Sequence, residues 1–536
     1  MLKKSLLLLF VISLVALLSI AGCGPAEVVE PDNGDENGEE NGEENGEENG
    51  PVYGGTLNVI IDAEPPTIDM HVSTTTLVYQ VGWHIFEQLY TLDDEFAVIP
   101  MLAESMPEIS EDKLEYTIKL REGVTFHNGA EMTSADVLAS LERWGEISSN
   151  GQALFEKVAS IEANGPYELT ITLSEPIGTL LVYLAIPNGG AAIYPEDIVT
   201  GAGSESIAEF IGTGPYTFVE WAPNQYIHLQ KYEDYKPVDF PATGYGGEKI
   251  AYTDELIISF ISDASVRIAG VESGDYHFSD FVPVDEYDRL KDMPGIEAVA
   301  SQPRGWFSVV FNKQEGIMSE KLMRQAFLAA LDMEPIMDAG YGHRDFWRLD
   351  PSIMFKEQIW WSDAGSEYYN QADPERAKEL LAEAGYNGEP IRWMTGPLEY
   401  NFSLAAANQL EAAGFNIELE RMEWATLTDR RSNPELWDAF STGFTFRADP
   451  TMMAVVRSTY AGWWENEELQ SLLDQIALEE DFEVRYELWE QVQLLFYEEV
   501  PTVKIGDYSN LRILRDNVNG FTNLNEIFFW NVWLSE

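Results

Sequence analysis

One thiol, Cys23, and six imidazoles, His71, His84, His127, His228, His277 and His343, are the scarcest reactive groups in this 536-residue chain. A lone cysteine closes no disulfide within the chain and builds no cysteine zinc site. The histidines are scattered, so structural or surface roles are expected for them and no metal site. No Gly-x-Ser-x-Gly elbow and no His-Glu-x-x-His zinc helix is present. Gly244-Tyr245-Gly246-Gly247-Glu248-Lys249 invites comparison with a phosphate-binding loop but lacks its Gly-Lys-Ser/Thr ending. There are 92 carboxylates, too many for any one pair to stand out as general acid and base. No catalysis and no cofactor are expected. The chain is better equipped for recognition. Some of its 15 tryptophans and 24 tyrosines are suited to a ligand cleft, because they combine apolar area with a polar handle.

Such a cleft needs a scaffold, and residues 51–536 are too many for one hydrophobic core, so two or three lobes are expected. Strand patterns at Leu57–Ile61, Leu114–Leu120, Leu169–Leu173, Tyr216–Glu220, Tyr226–Gln230, Leu256–Ile261, Phe307–Phe311, Ile391–Met394 and Ile417–Leu419 alternate with helical ones. Ser73 to Thr76 is a hydroxyl-rich turn before a helix expected over Leu77–Leu89. Thr133 with Asp136 forms a capping box, and Asp373-Pro374 starts a helix that Gly385 stops. Near the end, Leu469, Leu472, Leu473 and Ile476 stripe one helix, and Val484, Leu488, Val492 and Leu495 stripe the next. The alternation predicts α/β lobes.

Ahead of the body lie Lys3 and Lys4, an apolar run from Leu6 to Ile20, and Ile20-Ala21-Gly22-Cys23. This is the layout of a secretory signal over residues 1–22. Small residues directly before a lone cysteine resemble the lipobox of bacterial lipoproteins, which implies cleavage before Cys23 and lipid on its sulfur and new amino end. Residues 23–50 then read as a tether. Glu-Glu-Asn-Gly repeats three times, ending at Gly50, with no apolar surface to offset ordering entropy. A flexible stretch of this length reaches on the order of 30 Å. The whole chain carries 92 acidic and 32 basic residues, net −60. The tether holds 11 of the acidic residues and the leader two lysines, which leaves the body 81 acidic against 30 basic residues, about −51. Such a surface repels nucleic acid and anionic lipid and favours a saline habitat, where salt screens its self-repulsion.

Several stretches together resemble one known family. Leu120-Arg121-Glu122-Gly123-Val124-Thr125-Phe126-His127-Asn128-Gly129, followed by Met132-Thr133-Ser134-Ala135-Asp136-Val137, is similar to the signature of the family 5 extracellular solute-binding proteins. These are the peptide- and nickel-class receptors of ABC importers. Gly212-Thr213-Gly214-Pro215-Tyr216 with Trp221, Pro223 and Tyr235, then Met323-Arg324-Gln325-Ala326 with Ala330-Leu331-Asp332, then Asp373-Pro374-Glu375-Arg376-Ala377-Lys378 through Ala384-Gly385-Tyr386, match further blocks in order. The resemblance implies a two-lobed α/β fold of the periplasmic-binding-protein type, type II, in the large cluster with an extra subdomain. Lobe I would cover 51–305 with an insertion near 96–206, lobe II 306–504, and 505–536 would return to lobe I.

It also implies a ligand enclosed between the lobes and handed to the transmembrane subunits of an ABC permease. The receptor would be a monomer, held by Cys23 to the membrane in the periplasmic space or on the outer face of the cell. Peptide is the first expectation for the ligand. A nickel or metal-chelate receptor and a saccharide receptor of the same family are alternatives. A tethered hydrolase acting on glycans is the alternative from another class. Candidate ligand contacts are Ser73, Thr74, Thr75, Phe444, Thr445, Phe446, Arg447 and Asp449. Peptide-binding members place an aspartate three positions before an Asp-Pro pair, to meet the ligand's ammonium. Here Asp449-Pro450 supplies the pair and Phe446 stands at the aspartate's position, followed by Arg447. A guanidinium can pair bidentately with a carboxylate, so an anionic or neutral polar ligand group is expected near Arg447, with Asp449 meeting an ammonium only by turning inward. Replacing Cys23 by Ser should leave the body folded and release it from membranes, because anchoring depends on acyl chains. Sedimentation with membranes checks this, and a Cys23→Ser protein still in the pellet would refute it.

Overall fold

The computed structural model describes residues 50–536; the leader, Cys23 and the tether up to Asn49 lie outside them. Two large sheets organise the body. The first has the strand order Ile296–Ala300, Leu511–Arg515, Phe278–Val282, Thr56–Ile61, Glu255–Phe260, Tyr226–Lys231, Tyr216–Ala222. The second runs Trp347–Arg348, Thr502–Tyr508, Gly305–Phe311, Ala439–Thr445, Ile391–Thr395, Ile417–Arg421. Thr56–Ile61 runs parallel to both its neighbours, and Ile391–Thr395 likewise. A smaller four-stranded sheet, Glu108–Ile109, Glu115–Lys119, Glu168–Leu173 and Val158–Gly165, lies within the expected insertion, and its core is continuous with that of the first lobe. A separate core fills the second lobe.

The chain leaves the first sheet after Ala300, enters the second at Gly305, and returns between Tyr508 and Leu511. The two crossings lie side by side: Ser301 N–H donates to the Asn510 carbonyl and Arg304 N–H to the Tyr508 carbonyl, both at 2.9 Å. The boundary expected after residue 504 therefore falls inside the Thr502–Tyr508 strand. Its buried Lys504 and Asp507 break the apolar pattern, yet both sit within the sheet, 2.6 Å apart.

The family-like blocks are folding devices. Gly212 and Gly214 lie so close to the Ile85 and His84 carbonyls that a Cβ on them would stand 2.0 and 2.5 Å from those oxygens. Gly214 N–H and Tyr216 N–H donate to the same two carbonyls. That pairing holds residues 84–86 out of a helix, so the helix expected over Leu77–Leu89 is only Thr76–Gly82. Asp136 accepts from the Thr133 N–H at 2.8 Å and starts the Ser134–Ile147 helix. Arg324 donates to the Glu499 and Val500 carbonyls, capping the C-terminus of the Phe482–Glu499 helix. Of the expected stripe, that helix buries Val492 and Leu495 and half-buries Leu488. Val484 is exposed, and the inward face carries Arg485, Trp489, Val492, Gln493 and Phe496. Arg485 can be buried because Asp449 meets it at 2.6 Å.

Four buried or half-buried histidines are hydrogen-bond bridges. His84 Nε2 accepts the Phe529 N–H at 2.9 Å. His71 accepts from Arg143 at 3.0 Å and donates to the Ala192 carbonyl at 2.8 Å. His127 sits between the Gly212 N–H and the Gly214 carbonyl, tying the first family-like block to the second. His277 accepts the Asn58 N–H. In each case a protonated ring would lose its acceptor.

Burial holds the pKa of His71 at about 4, of His84 at about 3 and of His127 at about 4, against 6.5 for a free ring. The unfolded chain then binds more protons than the folded one below pH 6.5, so stability is full above that pH and is lost as pH falls toward 4. Each ring contributes on the order of 3 kcal/mol over that interval. Melts in about 1 M salt, where surface charge is screened, should show stability declining between pH 6.5 and 5; a flat profile would contradict the neutral bridges. Asp449→Ala should destabilise by about 3–5 kcal/mol, because Arg485 loses its counter-charge in the core, and a partnered Arg485→Met should restore most of it. Denaturant melts of both variants check this.

Candidate functional site

A cavity of about 1020 Å³ opens between the two lobes beside the crossings. The first lobe contributes Phe281 to Asp285, immediately after or within the end of the Phe278–Val282 strand. The second contributes Pro397 to Glu399, after the Ile391–Thr395 strand, and Glu423 with Trp424, after Ile417–Arg421. All three loops leave the carboxyl ends of strands that have a parallel neighbour, the place where open α/β sheets present ligands. Tyr508, Asn510 and Leu511, from the returning crossing, line the same space.

The walls are aromatic and open. Phe307 stacks on Tyr508 with centroids 4.5 Å apart, and Tyr341 stands 5.5 Å from Tyr508, fixed by its hydroxyl donating to the Ser509 carbonyl at 2.7 Å. Leu398 is 82% exposed, Trp424 42% and Phe281 39%. Phe281 has φ of 52°, a left-handed conformation costing a bulky residue roughly 1–2 kcal/mol. Its backbone is held there by Arg267 donating to its carbonyl at 2.8 Å and by its own N–H donating to Asp280. Backbone held against its preference to present an exposed ring belongs to binding sites more than to cores.

The residues singled out from sequence lie elsewhere around the junction. Ser73 is half-buried and Thr74 and Thr75 exposed, with Ser73 and Thr75 hydrogen-bonded to one another. Thr445 is exposed at the end of its strand, and Phe444 is buried against Trp306. Phe446 packs on Phe96 of the first lobe, centroids 4.4 Å apart, so its ring is part of the seam between lobes. Arg447 donates to Thr445 Oγ1 at 3.1 Å and to the Phe446 carbonyl at 2.7 Å. Burial and the neighbouring Arg457 push its pKa down. Asp449 is fully buried, bound to Arg485 and accepting from Thr451 N–H and Oγ1. An ammonium would have to compete with Arg485 for it. Of these stretches only the Gly443 end reaches the cavity wall. Sequence reasoning missed Phe281, Leu398, Glu399 and Trp424; the usable signal was their place just past strand ends.

The lobes also meet away from the crossings. Lys113 pairs with Glu479 at 2.9 Å, Tyr116 hydrogen-bonds Glu480, and the Ile359 N–H donates to the Glu95 carbonyl at 3.1 Å. Among the described residues no group of three or more His, Cys, Asp or Glu is arranged to hold a metal ion, and no helix is long and apolar enough to cross a membrane.

Comparison with known proteins agrees with this geometry. The probable peptide ABC transporter periplasmic-binding protein y4tO of Sinorhizobium fredii is 27% identical over 456 residues, covering 81% of this chain and 85% of that protein. The oligopeptide-binding protein AppA of Bacillus subtilis is 25% identical over 512 residues, covering 88% and 89%. The solved ABC transporter substrate-binding protein CtaP of Listeria monocytogenes superposes with a TM-score of 0.79 at 21% identity, covering 90% of this chain and all of that one. That likeness establishes a shared two-lobed fold. The family model described as bacterial extracellular solute-binding proteins, family 5 middle, matches residues 97–466. With that match spanning well over half of its length, the chain belongs to the family 5 bacterial extracellular solute-binding proteins.

Proposed function

We propose that this protein is the solute receptor of an ABC importer, that it captures peptides in the cavity between its lobes, and that it presents them to the permease. The observation that carries the reading is the aromatic cavity set directly on the two hydrogen-bonded crossings. A hinge there lets the walls approach while Tyr508 and Asn510 stay as the floor. The names of the relatives, peptide and oligopeptide binding, favour peptide over the other solutes of the family. In this reading Cys23 carries the lipid, the acidic tether holds the body off the membrane, and the receptor works as a monomer. Closure adds contacts that only the enclosed ligand offers. Arg447 and Arg457, which pair with no carboxylate among the described residues, lie beyond the cavity wall and are the positive spot to which a ligand carboxylate reaching out of the cavity is drawn.

A thermal-shift screen of three- to nine-residue peptides tests this, with each peptide recovered intact afterwards. Binding should stabilise the protein by about 2.7 kcal/mol at a hundredfold excess over Kd. Loss of the peptide by hydrolysis, or no shift with any peptide, would sink the reading. Arg447→Ala should weaken a binding peptide with a free carboxyl end about tenfold, near 1.4 kcal/mol, and leave its amidated form unchanged. Equal losses for both forms would remove Arg447 from ligand recognition.

A further inference from the structure

Eight carboxylates are buried among the described residues: Asp69, Glu87, Asp280, Asp350, Glu399, Asp438, Asp449 and Asp507. Six are met by cations: Asp69 by Arg143, Glu87 by Lys249, Asp280 by Arg512, Asp438 by Arg392, Asp449 by Arg485, and Asp507 by Arg348 and Lys504. Asp350 accepts from the Trp361 indole and the Ser352 N–H. Glu399 stands apart. It is 7% exposed, and nothing but its own backbone amide offsets the burial that raises its pKa. A buried carboxylate without a counter-charge is expensive to keep, and every other one in this fold has been supplied with partners.

Glu399 is also the buried carboxylate that lines the cavity. Its Oε2 lies over Gly396, where a Cβ would stand 2.5 Å away, and the Trp424 ring borders the same glycine. The cavity wall further includes the exposed Asp285 and Glu423 and contains no lysine, arginine or histidine. Its rings offer π faces, which attract cations: Phe307, Tyr341 and Tyr508 carry no guanidinium from the described residues, while Phe281 and Trp424 each already meet one, Arg304 at 5.0 Å and Arg431 at 5.7 Å from the ring centroid. A carboxylate left unpaired beside such rings is complementary to an ammonium or guanidinium and to nothing anionic.

We propose that Glu399 is the counter-ion for a positively charged nitrogen of the ligand, so that the cavity selects organic cations, with basic peptides as its substrate class. The proposal rests on the reading of this cavity as the ligand site and names what that site prefers.

The test uses four probes in calorimetric titrations: Ala-Ala-Ala, acetyl-Ala-Ala-Ala, acetyl-Ala-Arg-Ala and agmatine, a cation that is not a peptide. At least one charged-nitrogen probe should bind about tenfold or more tighter than acetyl-Ala-Ala-Ala. Ala-Ala-Ala against its acetylated form reads the amino terminus, and acetyl-Ala-Arg-Ala against acetyl-Ala-Ala-Ala reads a side-chain nitrogen. Glu399→Gln should abolish that preference and leave the melting temperature of the unliganded protein equal or higher, since it removes an unpaired buried charge. Agmatine binding lost in Glu399→Gln, with no peptide bound, would uphold the cation site while ending the peptide reading. Acetyl-Ala-Ala-Ala binding as tightly as every charged probe, or a preference surviving in Glu399→Gln, would overturn the proposal and leave the peptide reading standing. A lowered melting temperature in unliganded Glu399→Gln would also overturn it, by showing that the carboxylate is structural.

Discussion

Two backbone hydrogen bonds between Ser301–Arg304 and Tyr508–Asn510 set what the rest of this molecule can do. They hold the crossings together as a short ribbon, with the Ser301 hydroxyl accepting the Asn510 N–H as a further tie. A ribbon of this kind resists stretching and sliding but yields to small changes of φ and ψ at its ends. The proposed closure turns the two sheets about it; their cores are separate except at the seam, where Ala448 and Met452 bury into the core of the first lobe. The cavity gets its floor from the ribbon and its walls from loops on both bodies. Were the second crossing replaced by a flexible loop, the same loops would no longer be held opposite one another.

The parts of the fold legible in the sequence are those fixed by short-range constraints. Gly212 and Gly214 are dictated by backbone approach to Ile85 and His84, and Asp136 and Asp373 by orphan amides at helix starts. Such constraints allow few residue types, so they form recognisable blocks and identify the family. Hydrophobic periodicity did less well where tertiary pairing overrides it. The helix stops at Gly82 and gives way to turns, because the glycine turn pairs with the His84 and Ile85 carbonyls. The Phe482–Glu499 helix turns Arg485 inward because Asp449 waits there. A one-dimensional pattern scores a buried arginine as polar, since its partner lies 36 residues away.

The candidate site was less legible for a related reason. Pro397, Leu398 and Glu399, Trp424, and Phe281 are unremarkable in their own surroundings, and only strand order brings them around one space. The family-like blocks offered no help, since His127, Gly212, Arg324 and Asp373 all serve the scaffold. Phe446 shows the limit of transferring a position. Its ring closes on Phe96 between the lobes, a packing role that a carboxylate could not fill.

The charge of the body bears on how selection can occur at all. A net charge near −51 makes a broad negative field that draws cations of every kind, and salt attenuates it beyond roughly 10 Å. Such a field raises encounter rates without distinguishing one cation from another, and in strong brine it hardly acts. Exposed acids on the rim, Asp285 and Glu423, share that weakness. A carboxylate withdrawn from water acts at short range, is screened little, and rewards only a nitrogen that reaches it in the right place. In a protein whose surface is predominantly acidic, discrimination has to come from the desolvated groups. Glu399 on one side, and the half-buried, unpaired Arg447 on the other, are groups of that kind at the junction of the lobes.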